Sequence, residues 1–262
     1  MTALDVMSLS GQTVLITGAA GRIGSATARL ALKAGATVVL VDVAKKRLDD
    51  LASDLSRAVA GKVYAVEADV TTPVGIDQLI NKALSHVGRL DAAVHSAYPT
   101  SKGWGARFED LTAEHLHQDL AMQLGGAILF SQKILACFRT QLGGNLIHIS
   151  SIQGVQAPKF EHYEGTNMTS PIEYAAIKAG VISITGWLAK YHANQGIRVN
   201  CVSPGGILDS QPPAFLDRYR HSCTNFGMLS AEQVASAVIF LLSPAASAIN
   251  GQNLIVDDGW TL

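Results

Sequence analysis

The chain has 262 residues, of which 48% are hydrophobic and 16% are charged, and its formal net charge is −1. This length and composition suit one α/β domain or two small ones, and we expect a single domain over residues 1–262. The basic residues are scattered along the chain, so it carries no electrostatic footprint of nucleic-acid binding. Nucleic acid is therefore not an expected partner.

The cysteines and the apolar runs indicate the cellular compartment of the protein. Cys137, Cys201 and Cys223 are far apart and odd in number, which argues against a disulfide framework or a zinc site. The N-terminal stretch MTALDVMSLSGQ lacks the basic lead-in and the apolar core of a signal peptide, and the longest apolar runs, such as AVIFLL, are too short to span a bilayer. We expect a cytoplasmic protein with no bound metal and no membrane partner.

Short apolar runs alternate with helical patterns along the chain. Strands are predicted at TVLITG, TVVLVD, KVYAVEAD, LDAAVHS, NLIHISS, IRVNCVS and NLIVDD. Helices are predicted at GRIGSATARLALKAG, 44–59, 73–87, 112–138, 171–195 and 230–242. This alternation indicates βαβ units, so we expect an α/β fold of the Rossmann type, a single doubly wound parallel sheet with helices on both faces.

Two segments are long for such a fold, YPTSKGWGARFED after the fourth strand and IQGVQAPKFEHYEGTNMT after the fifth. Both leave the carboxyl ends of strands, where open α/β sheets bind their ligands. We expect substrate-covering loops near 98–110 and 152–170, with a third near 207–228.

The stretch TGAAGRIG joins the first predicted strand to the first helix. Gly18, Gly21 and Gly24 permit a tight turn, close approach of the backbone to a pyrophosphate, and close packing of the helix. A glycine triplet is also found in ordinary strand-to-helix turns. The context adds Asp42, which ends the second strand 18 residues after Gly24, where its carboxylate can accept hydrogen bonds from an adenosine ribose or cap the next helix.

The charge of Asp42 bears on the choice of cofactor. A carboxylate at this position repels a 2′-phosphate, so we expect NAD in preference to NADP. Lys45, Lys46, Arg47 and Arg22 lie nearby in the sequence and partly compensate for this repulsion.

Tyr174 and Lys178 lie four residues apart in SPIEYAAIKAG, residues 170–180. Ser170, Pro171 and Glu173 have the spacing of a capping box with proline at the first helical position, so a helix is predicted to start here. Tyrosine has an ordinary pKa near 10, and it acts as an acid or base at neutral pH only beside a cation or a helix N-terminus. Taken alone, such a pair is more often a helix-surface contact.

The fifth strand adds a hydroxyl group to this region. Ser151 closes NLIHISS and lies at the strand end beside which the predicted helix begins. A serine hydroxyl can hold the oxygen of a carbonyl or an alcohol. Ser151, Tyr174 and Lys178 together therefore predict a proton-transfer centre beside a dinucleotide site.

The sequence resembles the short-chain dehydrogenase/reductase family over nearly its whole length. The resemblance is carried by TGAAGRIG, Asp42, ADV at 68–70, SSIQG at 150–154, YAAIK, RVNCVSPGG at 198–206 and VDDGW near the end. It implies the shorter, non-extended branch, because too few residues follow SPGG for the C-terminal substrate domain of the extended branch. It also implies pairing into a homodimer or homotetramer through the helices at 112–138 and 171–195.

The matching positions imply roles for individual residues. Tyr174 is the implied general acid/base, Lys178 holds the nicotinamide ribose and lowers the tyrosine pKa, and Ser151 orients the substrate. Gln123 aligns with an asparagine that in the family helps order a water beside the lysine, forming a proton relay. The implied cofactor-binding residues are Gly18, Gly21, Arg22, Ile23, Gly24, Asp42, Asp69, Val70, Ser96, Ala97, Tyr174, Lys178, Pro204 and Ile207.

Several positions depart from the family pattern. The family sequence NNAG is replaced by HSAY, in which Tyr98 is expected to narrow the substrate pocket and His95 to be a satisfied histidine at a strand end. Gln123 adds a methylene to the relay amide. Gly125 and Gly126 inside a helix predict a local distortion or close packing, since each costs roughly 1 kcal/mol relative to alanine.

The loop residues indicate what the substrate is. Tyr98, Trp104, His162 and Tyr163 are the candidate substrate contacts. Lys102 and Arg107 lie in the first of the two long loops, and such charges can recognise an anionic substrate or can simply be solvated. The sequence is also similar, without a diagnostic motif, to oxidoreductases encoded for surface-sugar modification, which implies a sugar or another polar small molecule.

The expected activity is NAD(P)-dependent hydride transfer between the cofactor and a secondary alcohol or ketone. Two other functions remain open from the sequence. One is a catalytically retired, dinucleotide-sensing protein, which HSAY and Gln123 would fit. The other is a nucleotide-sugar epimerase or dehydratase, which retains its cofactor through the cycle.

Overall fold

The computed structural model describes the backbone of residues 3–262 and the side chains of residues 5–262. The first two residues of the expected domain therefore lie outside the described part. Seven described strands form one parallel sheet in the order β3-β2-β1-β4-β5-β6-β7. They are β1 (Thr13–Thr17), β2 (Thr37–Asp42), β3 (Val63–Glu67), β4 (Ala92–His95), β5 (Gly144–Ile149), β6 (Ile197–Pro204) and β7 (Asn253–Val256).

Helices connect the strands and cover both faces of the sheet. They are α1 (Ala3–Met7), α2 (Arg22–Lys33), α3 (Lys45–Ala58), α4 (Pro73–Val87), α5 (Ala113–Asp119), α6 (Gly126–Thr140), α7 (Ile172–Tyr191), α8 (Pro213–His221) and α9 (Ala231–Leu242). The prediction of a single doubly wound parallel sheet is confirmed. The strand order reverses direction between β1 and β4, which is where such sheets open a ligand crevice at their carboxyl edge.

The strands have apolar side chains on both faces because both faces are buried. In β1, Val14 and Ile16 pack against α2, α3 and α9, whereas Leu15 between them packs against α4, α6 and α7. Continuous apolar runs are typical of parallel strands covered on both sides.

The start of α7 differs from the prediction. Its N-cap is Pro171, and the hydroxyl of Ser170 donates instead to the side-chain oxygen of Gln153, at 2.7 Å. The predicted capping box at Ser170 and Glu173 is therefore wrong, because a tertiary hydrogen bond captures the capping hydroxyl. A complete capping box does occur at α9, between Ser230 and Gln233.

The helix through Gln123 is distorted where the glycines predict it. Leu120–Gly125 forms a π-helical segment between α5 and α6. A Cβ on Gly126 would meet its nearest neighbour at 3.5 Å, an ordinary contact, so close packing does not explain that glycine. A π-helical segment is often found at a functional site.

This continuous helical stretch also corrects the expectation about apolar runs. Ala113–Thr140 has 28 residues and a mean hydropathy of 1.4 over its most apolar window, so its length and composition would allow it to cross a membrane. In the fold, α6 packs on α4 and β5 as a core helix. Core helices of water-soluble proteins have the same composition.

The third expected loop contains a helix that is not among those predicted from the sequence. Residues 207–228 include α8, which starts after Pro212 with Pro213 in its first turn. Phe215 and Tyr219, one turn apart on α8, are its buried residues and pack with Ile152 and Trp260 in a small third core.

Candidate active site

A cleft opens at the carboxyl edge of the sheet and consists of two adjoining cavities. The larger, of about 600 Å³, is lined by residues that follow β5 and β6, and the smaller, of about 320 Å³, by residues that follow β1, β2 and β3. Gly21, Ser96 and Tyr98 line both cavities. Two adjoining cavities suit an elongated ligand that places one end in each cavity.

The glycine loop provides a cradle at the junction. Gly18 has φ of 64°, and a Cβ there would lie 2.6 Å from the carbonyl oxygen of Ser96. A Cβ on Gly24 would collide with the carbonyl oxygen of Gly18. The N-cap of α2, Gly21, makes no side-chain capping bond, which leaves first-turn N–H groups for an anionic ligand. These residues fit the pyrophosphate of a dinucleotide.

Asp42 lies at the far end of the smaller cavity. Its Oδ2 accepts from the N–H of Ala20 at 3.0 Å and its Oδ1 from the N–H of Ala44 at 2.9 Å. The N-cap of α3 is Ala44, so Asp42 ties the glycine loop to the end of β2 and does not cap α3. Asp69 and Val70 line the same cavity, as does Arg47.

Two of the other basic residues near Asp42 in the sequence have partners elsewhere. Lys45 forms an ion pair with Asp49 at 2.6 Å. Arg22 forms an ion pair with Asp209, which connects the glycine loop to the segment after β6 across the mouth of the larger cavity. Of the four basic residues named from the sequence, Arg47 is the one that lines the smaller cavity with Asp42.

The strand end that carries Ser96 and Ala97 is held by Thr17. Its Oγ1 accepts from the N–H of Ser96 at 3.2 Å and from the N–H of Ala97 at 3.3 Å. The same hydroxyl lies 3.0 Å from Nδ1 of His95, which is buried and stacks on Phe130. His95 thus lies at a strand end with a hydrogen-bond partner at Nδ1.

Ser151, Tyr174 and Lys178 meet in the larger cavity. Ser151 lies close enough to the Tyr174 phenol to lower the pKa of that phenol, and the Nζ of Lys178 lies 5.5 Å from the centre of the Tyr174 ring. Lys178 Nζ donates to the carbonyl oxygen of Ile149 at 3.0 Å. Pro204 and Ile207 line the same cavity from the end of β6.

Burial governs the protonation of both central groups. Burial raises the pKa of Tyr174 above its usual value of 10, and the hydrogen bond from Ser151 partly opposes that rise. Burial also lowers the pKa of Lys178 from 10.5 to about 8. The phenol is therefore protonated at neutral pH in these surroundings, where burial outweighs the lowering expected from Lys178.

Gln123 does not reach the larger cavity. It lines a small separate cavity together with His95, His148 and Lys178. Its side chain is buried, and neither the oxygen nor the nitrogen of its amide has a hydrogen-bond partner among the described residues.

The candidate substrate residues all line the larger cavity. Tyr98, Trp104 and Tyr174 form an edge-to-face cluster, with ring centres 5.4 to 5.9 Å apart. His162 is buried and shares a 2.9 Å hydrogen bond with Ser222, and Tyr163 packs on Phe215. By contrast, Lys102 and Arg107 do not line this cavity.

Sequence reasoning missed four residues that also line it. Gln153 bridges Ser170 and Tyr163, and Phe215, Tyr219 and Trp260 form the aromatic floor. The spacing of Phe215 and Tyr219, one helical turn apart after two prolines, was an available signal for α8. Gln153 and Trp260 lie in SSIQG and VDDGW, which carry the family resemblance, but neither stretch by itself indicates that these side chains line the cavity.

Comparison with known proteins identifies the family. The family model described as enoyl-(acyl carrier protein) reductase matches residues 18–261. Post-translational flagellin modification protein A of Campylobacter coli is 39% identical over 255 residues, which cover 97% of this chain and 100% of that protein.

Solved structures agree. A short-chain type dehydrogenase/reductase from Mycobacterium marinum has a TM-score of 0.88 at 27% identity, covering 100% of this chain and 99% of that one. A gluconate 5-dehydrogenase from Burkholderia cenocepacia, in complex with NADP and tartrate, has a TM-score of 0.88 at 26% identity and covers 99% of both chains. The chain belongs to the short-chain dehydrogenase/reductase family, whose members are oxidoreductases that bind a nicotinamide cofactor and act on small molecules.

Proposed function

We propose that this enzyme transfers a hydride reversibly between NAD(H) and a secondary alcohol or ketone of a polar, uncharged small molecule. The observation that carries the proposal is the meeting of Ser151, Tyr174 and Lys178 in one cavity that continues into the glycine loop. The nicotinamide, when bound, supplies or accepts the hydride.

The side chains of the enzyme handle the proton. In the reductive direction the protonated Tyr174 phenol donates to the substrate oxygen while Ser151 holds that oxygen, and in the oxidative direction the phenolate takes the proton back. Lys178, with a pKa of about 8, is an ammonium at neutral pH and stabilises the phenolate. General acid/base catalysis of this kind contributes roughly 10²- to 10⁴-fold.

The smaller cavity, which we call the adenosine end of the cleft, has features that favour NAD over NADP. The Asp42 carboxylate faces the cavity at the end of β2 and opposes a 2′-phosphate, whereas the Arg47 guanidinium at the same cavity favours one. Asp42 is fixed by two backbone N–H groups, so it cannot swing away to admit the phosphate without losing both hydrogen bonds. Because the similar gluconate 5-dehydrogenase was solved with NADP, the affinities of this chain for NAD and NADP should be measured side by side.

The charge of the larger cavity supports an uncharged substrate. Its charged lining residues are Arg22 and Asp209, which pair with each other, and the buried Lys178. Lys102 and Arg107 do not contribute, so a sugar fits better than a sugar phosphate. The relative named for post-translational flagellin modification supports a role in preparing a small molecule for surface modification.

We further propose that residues 1–262 act as one cytoplasmic unit and assemble as a homodimer or homotetramer. Large apolar side chains remain exposed on the two long helices named from the sequence, namely Ile128 on α6 and Ile172, Trp187 and Tyr191 on α7. Burial of these side chains against a second copy would remove them from water.

The test combines cofactor titration with a substrate screen. Quenching or enhancement of NADH fluorescence gives the affinity, and neutral cyclic polyols, sugars and ketones are then screened for NAD(H)-linked turnover. We expect Tyr174→Phe to lower turnover at least about 100-fold with nearly unchanged NADH affinity, and Tyr64→Phe, on β3 and in the lining of neither cavity, to behave like the wild type.

Other outcomes favour the rival functions. NADH binding without turnover across the whole screen would favour a dinucleotide sensor, and stoichiometric NAD retained through purification would favour an epimerase or dehydratase. Wild-type turnover by Tyr174→Phe would contradict the mechanism.

A further inference from the structure

The small cavity behind Lys178 has the size of one water molecule. It leaves about 10 Å³ for the centre of a water, close to the minimum that one ordered water needs. Its polar lining consists of His95, Gln123, His148 and Lys178, and the rest of the lining is alanine, isoleucine and valine. Which of these polar groups can bond a water follows from the hydrogen bonds that each already makes.

The tautomer of His95 is determined by Thr17. The Thr17 hydroxyl oxygen accepts two backbone N–H groups, so both of its lone pairs are used and its proton is free for His95 Nδ1 at 3.0 Å. Burial lowers the pKa of His95 to about 3, so the ring is neutral and has one N–H. Since Nδ1 accepts, the proton of the ring is on Nε2.

His148 lines the same cavity but has no ring nitrogen to spare. Its Nε2 lies 2.9 Å from the hydroxyl of Ser131 and its Nδ1 lies 3.0 Å from the hydroxyl of Thr185. His148 is therefore a natural control for His95, because it is also a buried histidine that lines the same cavity, but each of its ring nitrogens lies beside a hydroxyl.

Gln123 supplies the matching acceptor. Both polar atoms of its amide are buried without a partner among the described residues, and an unpaired buried group of this kind costs about 1–3 kcal/mol. Lys178 has one N–H bonded to Ile149 and further donors left over. A water placed between these groups would accept from Lys178 and from His95 Nε2–H and would donate to Gln123.

We propose that His95 is a positioning residue, whose Nε2–H fixes the orientation of a water shared by Gln123 and Lys178. The His95 Nε2–H occupies one lone pair of the water, so the other lone pair accepts from Lys178. The protons of the water then point towards Gln123. The consequence for catalysis rests on the proposed function, in which Lys178 serves Tyr174. The proposed hydrogen bonds involve only side chains of this chain and one water, so they do not require a bound cofactor.

The experiment uses the isolated full chain without cofactor or substrate. Nitrogen-15 NMR of histidine-labelled protein is expected to show His95 as the Nε2–H tautomer, and a high-resolution crystal structure is expected to show a water within hydrogen-bond distance of His95 Nε2, Gln123 and Lys178 Nζ. An Nδ1–H tautomer, or a water bonded to Gln123 and Lys178 alone, would overturn the proposal.

Two substitutions at His95 show whether this residue orients the water or only stabilises the fold. The amide nitrogen of glutamine can take the place of Nε2, whereas the shorter asparagine can keep the bond to Thr17 but does not reach the water. The pKa of Lys178, followed through the ¹³C signal of its ε-carbon, should stay near about 8 in His95→Gln and rise by about 0.5–1 pH unit in His95→Asn.

The rise in His95→Asn has a physical reason, because the water regains a lone pair for the ammonium when the His95 donor is lost. His148→Gln is the matched control and should leave the pKa of Lys178 unchanged even where the thermal midpoint falls. Equal shifts in His95→Asn and His148→Gln, or a shift in His95→Gln alone, would show that His95 only supports the fold. These readouts need no turnover, so they separate failure of this proposal from failure of the proposed function.

Discussion

The two ends of the cleft are built in different ways. The adenosine end consists of short turns directly after strands, and the carboxylate of Asp42 in it is held by two backbone N–H groups. The substrate end consists of three long segments with their own aromatic core, in which Phe215, Tyr219 and Trp260 are buried. The sheet therefore determines the cofactor end, whereas the substrate end has a separate core that can change without disturbing the sheet.

The largest effect is expected at the junction of the two ends. In Gly24→Ala the new Cβ would collide with the backbone carbonyl of Gly18, which cannot rotate away as a flexible side chain can. The glycine loop must shift, and we expect NADH affinity to fall about 100-fold, the cost of a displacement of about 1 Å at a positioned ligand. Fluorescence titration of NADH measures this loss.

Gly186→Ala provides the control for Gly24→Ala. A Cβ at Gly186, on α7, would have its nearest neighbour at 3.9 Å, so the alanine fits. Alanine in a helix interior is favoured over glycine by about 1 kcal/mol, and this variant should unfold at a higher denaturant concentration with unchanged NADH affinity. If Gly24→Ala also bound NADH normally, the loop would not be the phosphate cradle.

Acidification is expected to lower the folding stability of the sheet beneath both ends of the cleft. Burial lowers the pKa of His95 from 6.5 to about 3 and that of His148 from 6.5 to about 4. Between these values and 6.5 the unfolded chain binds more protons than the folded one, so stability is full above pH 6.5 and declines as the pH falls. At pH 5 the loss is about 2 kcal/mol for each histidine.

Urea unfolding of the wild type and of His148→Gln at pH 7 and pH 5 measures this loss. The variant should retain about half of the pH dependence, because one of the two histidines is gone. A loss equal to that of the wild type would mean that other groups cause the acid instability.

The cofactor end is also the part that the sequence predicts well. The bounds of α4 match the predicted 73–87, and the first and second strands end as predicted at the glycine loop and at Asp42. Strands buried on both faces and helices with one buried face leave periodic patterns that are independent of distant contacts. Gly18, Gly24 and Asp42 could be placed because they follow directly from strand ends.

The substrate end was less predictable because its contacts join residues far apart in the chain. The capping box expected at Ser170 fails because Gln153, in another segment, takes the serine hydroxyl. The helix α8 was missed because PAFLDRYRH is short and mostly polar. Trp260 reaches the cavity floor from the other end of the chain, which no local pattern indicates.

A smaller effect is expected from the charges at the adenosine end. Asp42→Asn keeps an acceptor oxygen but removes the negative charge, so we expect the NAD-over-NADP preference to fall about 10-fold. Arg47→Ala removes the opposing charge at the same cavity and should raise that preference. The ratio of kcat/KM with NAD to that with NADP measures both, and a change of the same sign in the two variants would contradict this account of the site.

The smallest effect is expected in the aromatic wall of the substrate end. Trp104 lines only the larger cavity and meets Tyr98 and Tyr174 edge to face, an arrangement worth about 0.5–1.5 kcal/mol for each pair. Trp104→Leu removes part of the wall against which the substrate would pack, so we expect the substrate KM to rise about 3- to 10-fold, equivalent to about 0.7–1.4 kcal/mol, and the NADH affinity to stay unchanged. Phe108→Ala, in the same loop but exposed outside the cavity, should change neither. If Trp104→Leu weakened NADH binding as much as substrate binding, the two ends would share their packing, and the separate core at the substrate end would not insulate the cofactor end.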